Sequence, residues 1–178
     1  MAAKFEIVSK YADAGIEIPE RKTEHSAGYD LASAEDILIP PIAMAQEQMR
    51  LAGGLPPTVD LDEFKRFTKE TGIKPTLVST GLKCKLDPGT YLELSARSST
   101  PLNYWLILAN GVGIIDADYY NNSSNEGEIF LQFINLSPYI LRIHKGDILG
   151  QGIIKPYLTT ENDNAQGERV GGFGSTSN

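Results

Sequence analysis

Short strand-like segments separated by turn residues make up most of the chain, and this pattern limits the fold more than any other feature. Asp87-Pro88-Gly89 is one such turn, because proline presets φ and glycine accepts a positive φ. Many short strands between turns of this kind predict an antiparallel all-β sandwich or barrel. The predicted strands are residues 5–8, 36–39, 76–80, 91–94, 105–108, 127–134, 139–143 and 148–157.

Two segments have a helical pattern instead. Residues 43–51 consist of helix formers and stop at Gly53-Gly54, and residues 60–71 carry apolar side chains three apart, with Gly72 after them. We therefore expect a short helical insertion at about residues 43–71 of a β scaffold. It is either a tolerated surface insertion or a lid or element that binds a protein partner.

Composition excludes several classes of protein. The chain has 178 residues, which predicts one domain, and its net charge of -7 argues against nucleic-acid binding. A polyphosphate ligand would therefore need a cation and a few well-placed donors. Cys84 is the only cysteine, so no internal disulfide is expected. No apolar run resembles a signal peptide or a membrane span, so we expect a cytoplasmic protein without a membrane contact.

Two carboxylates near a turn are the first candidates for chemistry. If Asp116 and Asp118 lie on one extended strand, they share a face, which would raise one pKa or bring a cation close. The alternative is a pair of turn carboxylates that cap backbone amides. His25 and His144 are far apart and have no ligand-like neighbours, so a zinc site is not expected.

Arg97-Ser98-Ser99 follows a predicted strand and combines a guanidinium, hydroxyls and backbone amides, which suits a phosphate. An exposed turn is the alternative interpretation. The end of the chain, residues 159–178, is rich in Asn, Gly, Ser and Thr, which predicts a flexible arm. Phe173 stands alone among glycines there, which favours an arm that closes over a flat ligand.

Five segments, taken in order, resemble the motifs of the homotrimeric, all-β dUTP diphosphatases (dUTPases). The third motif, which includes Gly113-Ile114-Ile115-Asp116-Ala117-Asp118-Tyr119, is nearly intact, and residues 77–82 resemble the family's strand between the first two. The resemblance covers the chain except the insertion. The five motifs lie at residues 27–31, 96–99, 110–119, 146–151 and 169–176.

The resemblance implies a jelly-roll-like β-barrel over residues 1–158, three copies that share active sites, and an arm at 159–178 that closes over them. It implies Mg²⁺-dependent hydrolysis of dUTP to dUMP and pyrophosphate. Asp116 would be the general base for the attacking water, and Asp30 would bind the Mg²⁺ shell through water. The residues implied to contact phosphates or order that part of the site are Arg97, Ser98, Ser99, Gln151 and Arg169.

The remaining implied roles concern the nucleoside. Tyr119 would pack under the deoxyribose and leave no room for a 2′-hydroxyl, while Phe173 would stack on uracil. Asn110 and the hairpin backbone at Gly113 and Ile115 would read the edge of uracil. The chain departs from the family's pattern in a lengthened turn at residues 120–126, in Ile148 where arginine is frequent, and in an Arg169 one residue closer to Phe173.

Two other functions compete with this one. The related dCTP deaminases share the fold, but their reaction needs a glutamate where this chain has Gln132, which cannot transfer a proton. The retained Asp116 favours hydrolysis. The other alternative is a nucleotide-sensing or protein-binding member of the family, with the insertion at 43–71 as its docking element.

Overall fold

A computed structural model describes residues 3–167. Eleven strands dominate these residues, which confirms the predicted all-β class. The strands are β1 (Ala3–Ile7), β2 (Tyr29–Ala32), β3 (Ile37–Ile39), β4 (Thr76–Ser79), β5 (Leu82–Leu86), β6 (Thr90–Ala96), β7 (Leu106–Leu108), β8 (Gly113–Asp116), β9 (Phe130–Asn135), β10 (Leu141–Ile143) and β11 (Ile148–Pro156).

The largest sheet has four antiparallel strands in the order β2-β11-β6-β8. A three-stranded sheet, β4-β9-β7, and the pairs β1-β5 and β10-β3 complete the described fold. Every ladder between these strands is antiparallel. Since strands distant in sequence are neighbours in the large sheet, its register brings together side chains from four separate segments.

The main apolar core lies beneath the sheets, and a small second cluster is formed by Val8, Tyr11 and Ala34. Strand β6 shows how the sequence forms the main core: Leu92 and Leu94 are buried, whereas the residues that alternate with them, Tyr91, Glu93 and Ser95, are only partly buried. This alternation places the leucines on the core face and the other three side chains on the outer face. Cys84 is also in the core, where burial raises the pKa of its thiol to about 12.

Two helices interrupt the β scaffold in the predicted insertion. They are α1 (Ile42–Leu51) and α2 (Leu61–Thr71), and α2 ends at Gly72 in the left-handed conformation. An apolar cleft of about 230 Å³ lies between these helices and the edge of β9. Within residues 3–167, no helix has the length and apolar character needed to cross a membrane.

The structure differs from the prediction in several strand ends, and strands β2, β5 and β8 were not predicted. Strand β7 starts at Leu106, one residue after the predicted start, because Trp105 has a left-handed backbone conformation at the end of a helix, α3 (Ser99–Tyr104). That helix was not predicted, although Ser99-Thr100-Pro101 is typical of a helix start. Strand β9 begins at Phe130 rather than at Gly127, because Gly127 has a φ of +81° and turns the chain before the ladder starts.

Glu128 is a buried carboxylate that sequence reasoning did not single out, and it supports a pH-dependent prediction. Burial raises its pKa, although the Ser79 hydroxyl donates a hydrogen bond to it. The folded protein therefore holds this proton more tightly than the unfolded chain does, and stability falls as pH rises through the folded pKa. We expect Glu128→Gln to raise the thermal unfolding temperature near neutral pH, an advantage that disappears below about pH 4.

Glu93→Gln is the matched control, because the hydrogen bond from Lys155 lowers the pKa of Glu93. The charged form of Glu93 therefore stabilises the fold, and its replacement should have the opposite effect on stability to that of Glu128→Gln. Glu93→Gln should be less stable than the wild type near neutral pH. A Glu128→Gln protein that unfolds at a lower temperature near pH 7 would show that the charged form of Glu128 is the stabilising one.

Candidate active site

Asp116 is the last residue of β8 and lies opposite Tyr91 of β6. The chain then leaves the sheet in a 3-10 turn, Ala117–Tyr119, which contains the exposed Asp118. Of the two interpretations from the sequence, the one that places both aspartates on one face of an extended strand is therefore wrong. Residues two apart share a face only while the strand continues, and this strand ends at Asp116.

The neighbours of Asp116 lie on the outer face of the sheet. Tyr91 of β6 faces Asp116 across one ladder and Lys155 of β11 across the other, so Asp116, Tyr91 and Lys155 form a row over three strands. The Lys155 ammonium donates to Glu93 at 2.6 Å, and Glu93 also accepts from the Tyr91 hydroxyl at 3.3 Å. The cation in this row is thus paired with Glu93, whose pKa it lowers.

Four other predicted nucleoside contacts, Asn110, Gly113, Ile115 and Tyr119, lie on β8 or next to it in the chain. Tyr119 is buried, with 6% of its surface exposed, and its hydroxyl donates to the backbone oxygen of Glu128 at 3.0 Å. Ile115 packs against the core. Gly113 lies under Asn110, because a Cβ at Gly113 would be 3.4 Å from the Asn110 amide nitrogen. We call the group Asn110, Gly113, Ile115, Asp116 and Tyr119 the Asp116 cluster.

A second cluster lies at the other end of the same sheet. Asp30 of β2 is opposite Gln151 of β11, which is opposite Ser95 of β6. The Arg97 guanidinium Nε lies 3.3 Å from an Asp30 carboxylate oxygen, and both side chains are partly exposed. We call the group Asp30, Arg97, Ser98, Ser99 and Gln151 the Arg97 cluster. It combines one carboxylate, one guanidinium, hydroxyls and an amide, which together suit a phosphate and a hydrated cation.

Two features hold the Arg97 cluster in place. The Gln151 amide lies over Gly28, where a Cβ would be 3.1 Å from the amide carbon and closer still to its oxygen. Thr100 is fully buried, and its hydroxyl donates to the backbone oxygen of Leu149 at 2.7 Å. This bond ties the start of α3 to β11. The role of Thr100 was missed, because a threonine beside Ser-Ser gives no sign of burial in the sequence.

Asp116 itself lies far from the Arg97 cluster within one chain. Tyr91, opposite Asp116, and Ser95, opposite Gln151, are four residues apart on β6, which is about 13 Å along the strand. Asp116 and Gln151 also lie on opposite sides of β6, which adds roughly 10 Å across the sheet. One chain therefore does not bring Asp116 to the Arg97 cluster.

Acidic side chains in the described range do not form a metal centre by themselves. Among residues 3–167, no group of three or more His, Cys, Asp or Glu side chains could hold a metal ion. Asp30 contributes one carboxylate beside Arg97. A single carboxylate fits an ion that is held chiefly by another ligand and by water. The predicted contacts Arg169 and Phe173 lie outside the described residues.

The sequence and the structure are both similar to those of known proteins. Residues 60–177 match a family model described as dUTPase. The deoxyuridine 5′-triphosphate nucleotidohydrolase of Lactococcus lactis is 40% identical over 174 residues, which cover 97% of this chain and 95% of that protein. The crystal structure of the Streptococcus mutans dUTPase has a TM-score of 0.68 and 33% identity, covering 89% of this chain and 98% of that one.

A mutant dUTPase from phage phi11 of S. aureus is also similar in structure. Its TM-score is 0.59, and the match covers 94% of this chain and 98% of that one. The identity is 18%, so this likeness shows the fold alone. That protein is described as coordinating a structural Mg(II) ion.

Proposed function

The chain belongs to the dUTPase family and hydrolyses dUTP, and we propose that Asp116 is the general base in an active site shared between copies of the chain. The observation that carries this proposal is the separation of Asp116, opposite Tyr91, from Gln151 of the Arg97 cluster, opposite Ser95. Asp116 offers the base and the Arg97 cluster offers phosphate donors, and hydrolysis of a nucleoside triphosphate needs both. Asp116 would meet such donors when a second copy supplies its Arg97 cluster.

The proposed reaction is attack of water on the α-phosphorus. The Asp116 carboxylate accepts the proton of the attacking water as its oxygen forms the new bond. The bond from the α-phosphorus to the bridging oxygen breaks, and pyrophosphate leaves with that oxygen, so the products are dUMP and pyrophosphate. The partly exposed position of Asp116 at a strand end supports this role, since a water molecule can reach it.

The Arg97 cluster of a neighbouring copy is proposed to bind the phosphates. Arg97 offers a guanidinium, Ser98 and Ser99 offer hydroxyls, and Gln151 offers an amide. Cyclic symmetry supports this arrangement, because each copy in a ring gives one face to one neighbour and the opposite face to the other. A homotrimer, as the sequence predicts, has three such sites.

The Asp116 cluster is proposed to bind the nucleoside. Asn110 and the backbone at Gly113 and Ile115 would read the uracil edge, and Tyr119 would pack under the deoxyribose. The buried and hydrogen-bonded position of Tyr119 supports this role, since such a ring forms a firm surface. Arg169 and Phe173, within the proposed arm at 159–178, keep their predicted roles at the phosphates and on the base.

Mg²⁺ is proposed as the cofactor, with Asp30 as the residue that holds it through water. The donor set fits, because one carboxylate is enough for an ion that is bound directly by phosphate oxygens and keeps several waters. When bound, the ion would neutralise phosphate charge in a protein whose net charge is -7. Without it, the acidic chain would repel the triphosphate.

The alternatives from the sequence are less well supported. Gln132, where a deaminase needs a glutamate, is a partly buried residue of β9 opposite Leu77. A protein partner at 43–71 stays a proposal, supported by the exposed side chains of Ile42 and Met44 on α1 and Leu61 on α2. A cytoplasmic location is a proposal too, supported by the substrate, which is an intracellular nucleotide.

Pyrophosphate release from four nucleotides tests the proposed site. We expect turnover of dUTP with Mg²⁺, and turnover lower by two or more orders of magnitude for dTTP, dCTP and UTP, because each places a wrong group against a close contact. Chelation of the metal should abolish activity, and Mg²⁺ should restore it. Equal turnover of UTP would contradict the role of Tyr119, and ammonia release from dCTP would favour the deaminase.

A further inference from the structure

The lengthened turn after Tyr119 is held together by its own amide side chains. Asn122 is buried, with 8% of its surface exposed. Its amide nitrogen donates to the backbone oxygen of Tyr119 at 2.9 Å and to the Asn125 side-chain oxygen at 2.8 Å. Its own oxygen accepts from the backbone nitrogen and hydroxyl of Ser124 at 3.0 and 2.6 Å. The turn therefore has a defined internal structure.

This turn also reaches the far end of the Tyr119 ring. The Asn125 amide nitrogen donates to the Tyr119 hydroxyl at 2.7 Å, and that hydroxyl donates to the backbone oxygen of Glu128 at 3.0 Å. Asn122 thus holds the backbone of Tyr119 and Asn125 holds its hydroxyl. Because the hydroxyl at the tip of the ring takes part in two hydrogen bonds and the backbone is held as well, the side chain loses freedom to rotate about χ1 and χ2.

The residue after the turn, Gly127, packs against the backbone of Tyr119. Gly127 has a φ of +81°, and a Cβ there would lie 2.5 Å from the Tyr119 backbone oxygen. Only glycine fits this approach without a shift of the backbone. Lys83, in contrast, holds the turn from outside, by bonds to the Asn121 side-chain oxygen at 2.7 Å and to Glu126 at 3.2 Å.

We infer that Asn125, supported by Asn122, is a positioning residue that sets the selectivity for deoxyribose over ribose by fixing the Tyr119 ring. This rests on the proposed packing of Tyr119 under the sugar. Exclusion of a 2′-hydroxyl by contact requires a surface that does not yield, because a ring free to tilt makes room for one extra oxygen. The turn supplies that rigidity through the bond from Asn125 to the Tyr119 hydroxyl.

The test compares kcat/KM for dUTP and UTP in the wild type, Asn125→Ala and Lys83→Met. We expect Asn125→Ala to reduce the preference for dUTP about tenfold. Most of the change should come from faster turnover of UTP, with kcat for dUTP nearly kept. Lys83→Met loosens the same turn from outside without a contact to Tyr119, and its preference should equal that of the wild type.

A double-mutant cycle separates positioning from general destabilisation. In a Tyr119→Phe background the hydroxyl is absent, so adding Asn125→Ala should change the dUTP preference no further. A selective wild type with an equally selective Asn125→Ala protein would overturn this inference and leave the proposed function intact. An equal loss of preference in Lys83→Met would also overturn it. A wild type that hydrolyses dUTP and UTP equally would overturn both the inference and the proposed role of Tyr119.

Discussion

Asp116→Asn should lower kcat for dUTP by about 10²–10⁴-fold while the affinity for a non-hydrolysable dUTP analogue stays nearly unchanged. The amide has almost the same shape as the carboxylate, but it cannot accept the proton of the attacking water. Asp116 lies at the end of β8, and the unfolding temperature of the variant separates a loss of kcat from a loss of folded protein. Steady-state pyrophosphate release and analogue binding by calorimetry measure the two effects.

Asp118→Asn is the matched control, because this second aspartate is two residues away in the exposed 3-10 turn. It should lower kcat much less than Asp116→Asn does. Wild-type turnover in Asp116→Asn, or an equal loss in both variants, would contradict the assignment of Asp116 as the general base.

Two inactive variants should restore activity when they assemble together. Asp116→Asn damages the Asp116 cluster and Arg97→Ala damages the Arg97 cluster, and each homotrimer should be nearly inactive. If a site takes one cluster from each of two neighbours, every mixed trimer contains one site with both clusters intact. Mixed trimers isolated through a different affinity tag on each variant should therefore show about one third of the wild-type kcat.

The control pairs two variants of the same cluster. Arg97→Ala with Gln151→Ala should restore almost nothing, because no chain in such a trimer has an intact Arg97 cluster. Restoration in this control pair would contradict the shared site. The shared site would also be contradicted if mixed trimers of Asp116→Asn and Arg97→Ala stayed inactive, since that result would place both clusters of one site on a single chain.

Local patterns in the chain determined most of the secondary structure. The alternation in residues 90–96 predicts a strand with one buried face, and Leu92 and Leu94 are buried as expected. The helix formers at 43–51 and the spacing at 60–71 predict α1 and α2, because helix periodicity and a glycine stop are local properties. The motifs identified the family and the hydrolysis of dUTP for the same reason, since each motif is a short contiguous run.

The position of Asp116 at the end of β8 could not be predicted from the local sequence. The identity of Asp116 as a candidate base was readable from the motif, but the sequence left open whether it shares a strand face with Asp118. The ladder between β8 and β6 ends at the pair Asp116 and Tyr91, and the chain then enters the 3-10 turn Ala117–Tyr119. This pairing with a distant strand is not recorded in the residues of the motif itself.

The sequence by itself therefore determined the family, eight of the eleven strands, the inserted helices and the list of candidate residues. Only the tertiary structure decided that Asp116 and Arg97 lie near opposite ends of β6, and that Asn125 holds the Tyr119 hydroxyl. Strand register is set by pairing between distant segments, and a shift of one residue would move every side chain to the other face. For that reason the separation of Asp116 from the Arg97 cluster, on which the proposed shared site rests, follows only from the folded sheet.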